Sequence, residues 1–280
     1  MLDIICLKKT HPTLMKHLSE GISVMANLEF FQFPTLSDNY GVLVHDPDTG
    51  DTASIDAPDA DDVRKALSQN GWQLTHILVT HHHWDHVQGI QSLKDETGCY
   101  VIGPAAEADK IDMLDSQVSD GDQFEFGGQV VKVISTPGHT LGMINFHFAQ
   151  SSVVFTGDTL FALGCGRIFE GDASMMWNSL QKLIALPPET LVYCGHEYTQ
   201  ANANFSLTID PENPDLVARA REIEAMRADG KPTLPTTIGK ELLTNPFVRP
   251  GDPLIRANLN MEDASDGEVF AEIRKRKDNA

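Results

Sequence analysis

Cysteine is scarce in this chain. The 280 residues hold four, Cys6, Cys99, Cys165 and Cys194, far apart and with no Cys-x-x-Cys pair. That excludes a disulfide framework and an all-cysteine zinc site, and leaves free thiols in a reducing cytoplasm as the simpler account. Positive charge is scarce as well: 21 Lys and Arg stand against 40 Asp and Glu, a formal charge of −19. A field of that sign repels phosphate backbones and anionic bilayers, which excludes nucleic acid and membrane surfaces as default partners. Long apolar runs are missing too, including after Lys8, Lys9 and Lys16 in residues 1–24, so neither a secretory signal nor a membrane span is expected. There is no GxGxxG or GxxxxGK[ST] phosphate cradle, Gly164-Cys165-Gly166 being too short for one, and no repeat recurs at a solenoid period.

What is present is an ordered, core-forming composition. The apolar share is 41%, and the length allows one large domain or two of moderate size. Organised alternation begins only near Leu28, so residues 1–24 read as an N-terminal extension and Met25 as an alternative start. Strands are expected over 28–35, 40–45 and 52–55, with a polar turn at Leu36-Ser37-Asp38-Asn39. A helix follows over 58–70, with Pro58 tolerated at its start and Gly71 as its stop.

The run THILVT, Thr75 to Thr80, is a short strand that delivers THHHWDH, Thr80 to His86, at its C-terminal end; the histidine cluster reads as a loop, with a helix over 90–97 beyond it. A strand is expected around 100–102, and a hairpin over 123–126 and 129–134 turns at Gly127-Gly128. Strands at 143–148 and 152–155 follow. Ser-Thr-Pro-Gly-His-Thr at 135–140 and Thr-Gly-Asp-Thr at 156–159 abut these runs, so strand, sharp turn and metal-binding residue type recur together. Beyond Ala173 helices dominate, over 175–186, 215–227 and 267–277, with a strand at 190–193 and a turn-rich stretch over 231–252. A soft boundary near Pro187 separates a two-sheet α/β body from a smaller helical region.

His81, His83, Asp85 and His86 offer nitrogen and hard oxygen ligands, the mixture expected for zinc or a nearby first-row ion. In an extended segment His81 and His83 point the same way, whereas Asp85 and His86 turn to a neighbouring position, so one segment can serve two adjacent ions. Packed together without a cation, such groups face desolvation and, when protonated, repulsion, which disfavours a merely solvated histidine loop. Taken alone, His139, Asp158 and His196 read as readily as packed or hydrogen-bonded side chains. Their common placement just after β runs, each beside a glycine, raises all three as ligands.

The pattern HxHxDH at 81–86, with His139, Asp158 and His196, resembles the metallo-β-lactamase superfamily over about residues 28 to 200. Gly-Cys-Gly-Arg at 164–167, Cys-Gly-His-Glu-Tyr-Thr at 194–199 and Asn-Pro-Phe-Val-Arg at 245–249 make the chain most similar to the glyoxalase II group, the hydroxyacylglutathione hydrolases. The resemblance implies a four-layer αβ/βα sandwich over 25–186. It also implies a helical substrate-binding region over 187–280 that completes the site through His196. By the same resemblance His81, His83 and His139 hold one divalent ion, Asp85, His86 and His196 a second, and Asp158 bridges them, Asp85 and Asp158 being the catalytic carboxylates. The ions are expected to be zinc, with iron or manganese as alternatives, and His82 and Trp84 to be structural neighbours. Arg167, Tyr198, Arg274 and Lys277 would contact glutathione. Phe169 stands where many relatives have Tyr, and cannot donate that phenolic hydrogen bond.

Such a protein would be a cytoplasmic monomer acting on a small glutathione thioester. A hydroxide formed from water between two cations would attack the thioester carbonyl, releasing glutathione and a 2-hydroxy acid such as lactate. No side-chain nucleophile is needed, so Cys165 and Cys194 read as buried small residues. The alternatives are a mononuclear-iron glutathione persulfide dioxygenase on the same scaffold and a binding module with a structural metal. The complete Asp85 and His196 set and the open metal positions disfavour them.

Overall fold

The computed structural model describes residues 28–280. The extension expected over 1–24, the start at Met25 and Cys6 lie outside the described residues. Two six-stranded sheets face each other. The first contains β1 (Glu29–Thr35), β2 (Asn39–His45), β3 (Thr52–Ile55), β4 (His76–Leu78), β5 (Tyr100–Pro104) and β6 (Ser116–Val118), in sequence order. Its first three strands pair antiparallel and the later ones parallel. The parallel crossovers carry α1 (Ala60–Asn70), the single turn α2 (Trp84–Val87) and α3 (Ile90–Thr97).

The second sheet is built from β7 (Gln123–Phe126), β8 (Gln129–Ser135), β9 (Ile144–Phe148) and β10 (Val153–Gly157), an antiparallel meander. A two-strand ribbon of β11 (Leu160–Phe161) and β12 (Gly164–Cys165) then leads to α4 (Ala173–Ile184). The sheet resumes with β13 (Leu191–Cys194), parallel to β10, and ends on β14 (Thr236–Thr237). Between and after these come α5 (Thr199–Ile209), α6 (Pro214–Ala228), α7 (Ile238–Thr244), α8 (Pro253–Leu259) and α9 (Asp266–Asp278).

The layers follow from period-two alternation. Val42 and Val44 of β2 and Phe146, Phe148 and Phe155 of the second sheet fill the space between the sheets. Leu43, one residue out of phase, packs outward against Val63, Leu67 and Leu93 of α1 and α3. On the opposite outer face Val154 and Val192 meet Met176 and Leu180 of α4 and Phe270 and Ile273 of α9. The result is the four-layer αβ/βα sandwich expected from the sequence.

Some local expectations change. The histidine segment is not all loop: 84–87 forms one helical turn, because the extended His83 ends the strand-like path and the next residues close a turn (Gln88 N to Trp84 O, 3.0 Å). Helix α1 starts at Ala60, with the Asp59 carboxylate accepting from the amides of Asp61 and Asp62, so Pro58 precedes it. The turn-rich stretch 231–252 contains β14 and α7, because the Thr237 hydroxyl caps the amide of Lys240. The second sheet also runs across position 187, since β13 and β14 continue it.

Candidate metal centre and adjoining cavity

The C-terminal ends of β3, β4, β5, β10 and β13 open on one rim of the sandwich, and the residues that follow them converge there. β4 leads to His81–His86, β10 to Asp158 and β13 to His196, while His139 comes from the connection between β8 and β9. The His196 loop is tied to the start of β2 by Tyr40 N to Gly195 O at 2.8 Å. Gly195 allows the close approach: a Cβ there would lie 2.5 Å from Asp158 Oδ1 and 2.9 Å from the His86 ring.

Each imidazole is oriented from behind. Thr80 Oγ1 donates to Asp56 Oδ2 and so is left to accept from His81 Nδ1 at 2.9 Å. His86 Nδ1 meets Asp56 Oδ2 at 2.8 Å, His139 Nδ1 meets the Arg167 carbonyl at 2.7 Å, and His196 Nδ1 meets Asp38 Oδ1 at 2.9 Å. With Nδ1 committed as donor, Nε2 of these four rings presents a lone pair to the centre. His83 is reversed: its Nδ1 lies 3.1 Å from His81 Nε2 and 2.9 Å from His139 Nε2. Two Nε2 lone pairs face His83 Nδ1, which has at most one proton to offer, so a cation among the three nitrogens would satisfy all of them.

A second group adjoins the first. Asp85 Oδ2 lies 3.5 Å from His86 Nε2 and 3.4 Å from His196 Nε2, and is held by Asn39 Nδ2 at 2.9 Å. Asp158 stands between the groups, its Oδ2 3.4 Å from His139 Nε2 and 3.2 Å from His196 Nε2, its Oδ1 3.6 Å from His86 Nε2. His86 Nε2 and Asp158 Oδ1 are buried with no hydrogen-bond partner. Leaving such groups unpaired is costly, and a divalent cation satisfies both, so the donor set fits metal ions. The seven residues expected as ligands are thus brought together.

The electrostatics agree with this geometry. Burial pulls His81, His83 and His139 below the usual histidine value, keeping them neutral as ligands must be. For His86 burial acts in the same direction, but the Asp158 and Asp56 carboxylates outweigh it and lift the group to about 9. Burial pushes Asp158 up, yet His196, His86 and His139 around it hold the carboxyl well below the usual carboxylate range. The anionic surroundings that favour a proton on His86 favour a cation at the same atom.

Asp38, Asp56 and Glu107 are the residues that sequence reasoning missed. The buried Glu107 carboxylate accepts from Thr140 Oγ1 (2.5 Å) and Gly142 N (3.0 Å) with one oxygen. With the other it accepts from His82 N (2.7 Å) and contacts His82 Nδ1 (2.9 Å). It therefore pins the His81–His86 segment to the His139 loop. His82, Glu107 and Glu170 form a further group of ligand type, but Lys110 and the Leu141 amide occupy Glu170 and the donors just named occupy Glu107. That group is a hydrogen-bonded brace, and His82 a structural neighbour.

A cavity of about 440 Å³ adjoins the centre and is lined by His83, Asp158 and Tyr198 as well as Arg167, Arg274 and Lys277. Phe169, 59% exposed, sets its ring edge-on to His83 and His139, with centroids 5.6 and 5.2 Å away. Tyr198 stacks parallel on His196 at 4.7 Å. Arg274 is nearly buried and donates to the Cys165 carbonyl at 2.9 Å, while Lys277 Nζ lies 3.4 Å from the Ala201 carbonyl. Burial pushes the Cys165 thiol up to about 11 and the Cys194 thiol up to about 12, so neither is a nucleophile near neutral pH.

Comparison with known proteins extends this picture. The model of the metallo-beta-lactamase superfamily matches residues 48–196, and that of the hydroxyacylglutathione hydrolase C-terminus matches 197–280. The hydroxyacylglutathione hydrolase of Rhizobium johnstonii is 57% identical over 255 residues, covering 91% of this chain and 100% of that protein. The protein of the same name in Brucella abortus is 58% identical over 251 residues, covering 90% and 98%. Among solved structures, ETHE1 from Myxococcus xanthus superposes with a TM-score of 0.64 at 30% identity, covering 88% of this chain and 90% of that one. The di-iron-bound form of TTHA1623 shares the fold, with a TM-score of 0.57 at 24% identity, covering 78% and 99%.

Proposed function

The chain belongs to the metallo-β-lactamase superfamily and, within it, to the hydroxyacylglutathione hydrolases, and on that footing we propose that it hydrolyses S-(2-hydroxyacyl)glutathione, S-lactoylglutathione above all, to glutathione and a 2-hydroxy carboxylate. The observation that carries the reading is the pair of adjoining ligand groups with Asp158 between them, His86 Nε2 and Asp158 Oδ1 being buried and unpaired. In this assignment His81, His83 and His139 would hold one divalent ion, Asp85, His86 and His196 would hold the other, and Asp158 would contribute to both. The nitrogen-rich first set suits zinc, and the carboxylate-containing second set also accommodates iron or manganese.

When bound, the ions supply an acidified water and a positive field for the charge that develops on the thioester oxygen. The protein's own groups do the rest. Asp38, Asp56 and Thr80 keep the imidazoles in the ligating tautomer, and Asp85 and Asp158 offset the charge of the ions. Arg167, Tyr198, Arg274 and Lys277 receive the glutathione portion, the two carboxylate ends of which need cations that the overall charge of −19 does not provide. Phe169 has no hydroxyl to donate and presents an apolar edge, so its contribution is to exclude water beside His83 and His139. The water oxygen bonds to the thioester carbon as the C–S bond breaks, and the departing thiolate takes up a proton released by that water to become glutathione.

The division at 187 is functional in this reading: residues 25–186 supply most of the metal ligands, and 187–280 supply His196, Tyr198, Arg274 and Lys277. We infer a cytoplasmic monomer, and the net charge of −19 speaks against nucleic-acid or anionic membrane partners. No helix among the described residues is long and apolar enough to cross a membrane. The test is metal content per chain measured beside hydrolysis of S-lactoylglutathione. We expect a pair of ions per chain, turnover lost to a chelator and restored by zinc. Turnover that survives chelation, or a single iron per chain with oxygen consumed on glutathione persulfide, would overturn the assignment.

A further inference from the structure

We propose that Asp278 is an internal carboxylate that competes with the anionic end of the substrate for the guanidinium groups of Arg274 and Arg167, and so sets the affinity for glutathione thioesters. Asp278 closes α9, and its Oδ1 lies 2.9 Å from an Nη of Arg274 and 3.6 Å from Nε of Arg167. Both arginines line the cavity beside the metal centre. One carboxylate oxygen thus sits between two of the cations that a bound carboxylate would need.

Arg274 does not depend on that carboxylate for its place. Its other Nη donates to the Cys165 carbonyl at 2.9 Å, and its guanidinium lies over the Phe247 ring at 5.2 Å. Its Nε is buried and has no partner, so the group retains donor capacity. The i,i+4 spacing along α9 brings Asp278 to Arg274, although a carboxylate in the last turn opposes the macrodipole that the neighbouring Lys275, Arg276 and Lys277 suit. The side chain of Asp278 is 36% exposed and that of Arg167 is 60% exposed, so water screens the second contact and an incoming anion can displace it. The arrangement offsets part of the positive charge at this end of the cavity until a substrate carboxylate arrives, and discriminates against ligands that carry none.

The inference rests on the glutathione-thioester reading for the identity of the anion. The experiment compares the metal-loaded wild type with Asp278→Asn and Asp278→Glu, in steady-state hydrolysis of S-lactoylglutathione and in calorimetric titration with glutathione. For Asp278→Asn, KM and the glutathione Kd are expected to fall about threefold to tenfold, with kcat and metal content unchanged. Asp278→Glu should restore wild-type values, and the gain should vanish for a thioester whose glycine carboxylate is esterified. Unchanged or raised KM and Kd in Asp278→Asn would overturn the inference and make Asp278 a support for Arg274. A wild type that turns over no glutathione thioester, while Asp278→Asn still binds glutathione more tightly, would remove the functional reading and leave the role of Asp278 standing.

Discussion

Four contacts converge on the buried carboxylate of Glu107, all from the two loops that carry His83 and His139. Glu107→Ala would leave the His82 and Gly142 amides and the Thr140 hydroxyl unpaired, a loss of about 3 kcal/mol of stability. Because the two loops bear ligands, the variant should also hold its metal less tightly. Urea denaturation and competition with a chromophoric chelator measure the two effects, and Glu107→Gln should fall between wild type and Glu107→Ala. Equal chelator competition in all three proteins would show that the brace does not reach the ions. The candidate ligands were legible in the chain because HxHxDH concentrates ligand types at a spacing an extended segment can use. Asp38, Asp56 and Glu107 were not: among forty acidic residues nothing local marks a buried one, and the partners of Asp56 and Glu107 lie 24 to 35 positions away.

At the scale of the element, α9 shows how a cap reaches the cavity. The Ser265 hydroxyl accepts from the amide of Glu268, and the Glu268 carboxylate accepts from the amide of Ser265, a reciprocal box that fixes the helix start. Val269, Phe270 and Ile273 bury one face, and Arg274 follows them toward the cavity. Ser265→Ala is expected to cost about 1 kcal/mol, measured by urea denaturation, and to raise KM without changing kcat by loosening Arg274 and Lys277. A fall in kcat with KM constant would contradict that route. Strands of four residues or more were legible as short apolar runs or from alternation, as in β2, where Val42 and Val44 face inward and Leu43 outward. The short β6, β11, β12 and β14 were not, because two or three residues carry no period and their pairing depends on what lies alongside. The helical turn at 84–87 escaped for the same reason.

At the scale of the whole molecule, the sandwich also buries an ionisable group that is not among the candidate ligands. Burial on β9, with Lys132 opposite on β8, pulls His147 below the usual value of 6.5. The unfolded chain therefore takes up this proton at a higher pH than the folded protein. The contribution of neutral His147 to stability is complete above about 6.5 and declines as pH falls through that value. Stability of His147→Gln relative to wild type should improve as pH drops from about 7.5 to about 5.5, measured by urea denaturation of metal-loaded protein; parallel pH curves would refute it. The sequence alone determined the layered α/β class, the reading of the metal-ligand residue types and the exclusion of a disulfide scaffold, because each depends on periodicity, spacing or composition within a short window. Only the tertiary structure decided which ring nitrogen faces the centre, which carboxylates stand behind the imidazoles, and that Asp278 lies between Arg167 and Arg274. Those facts depend on hydrogen bonds and ion pairs between segments that meet only when both sheets and their helices have packed.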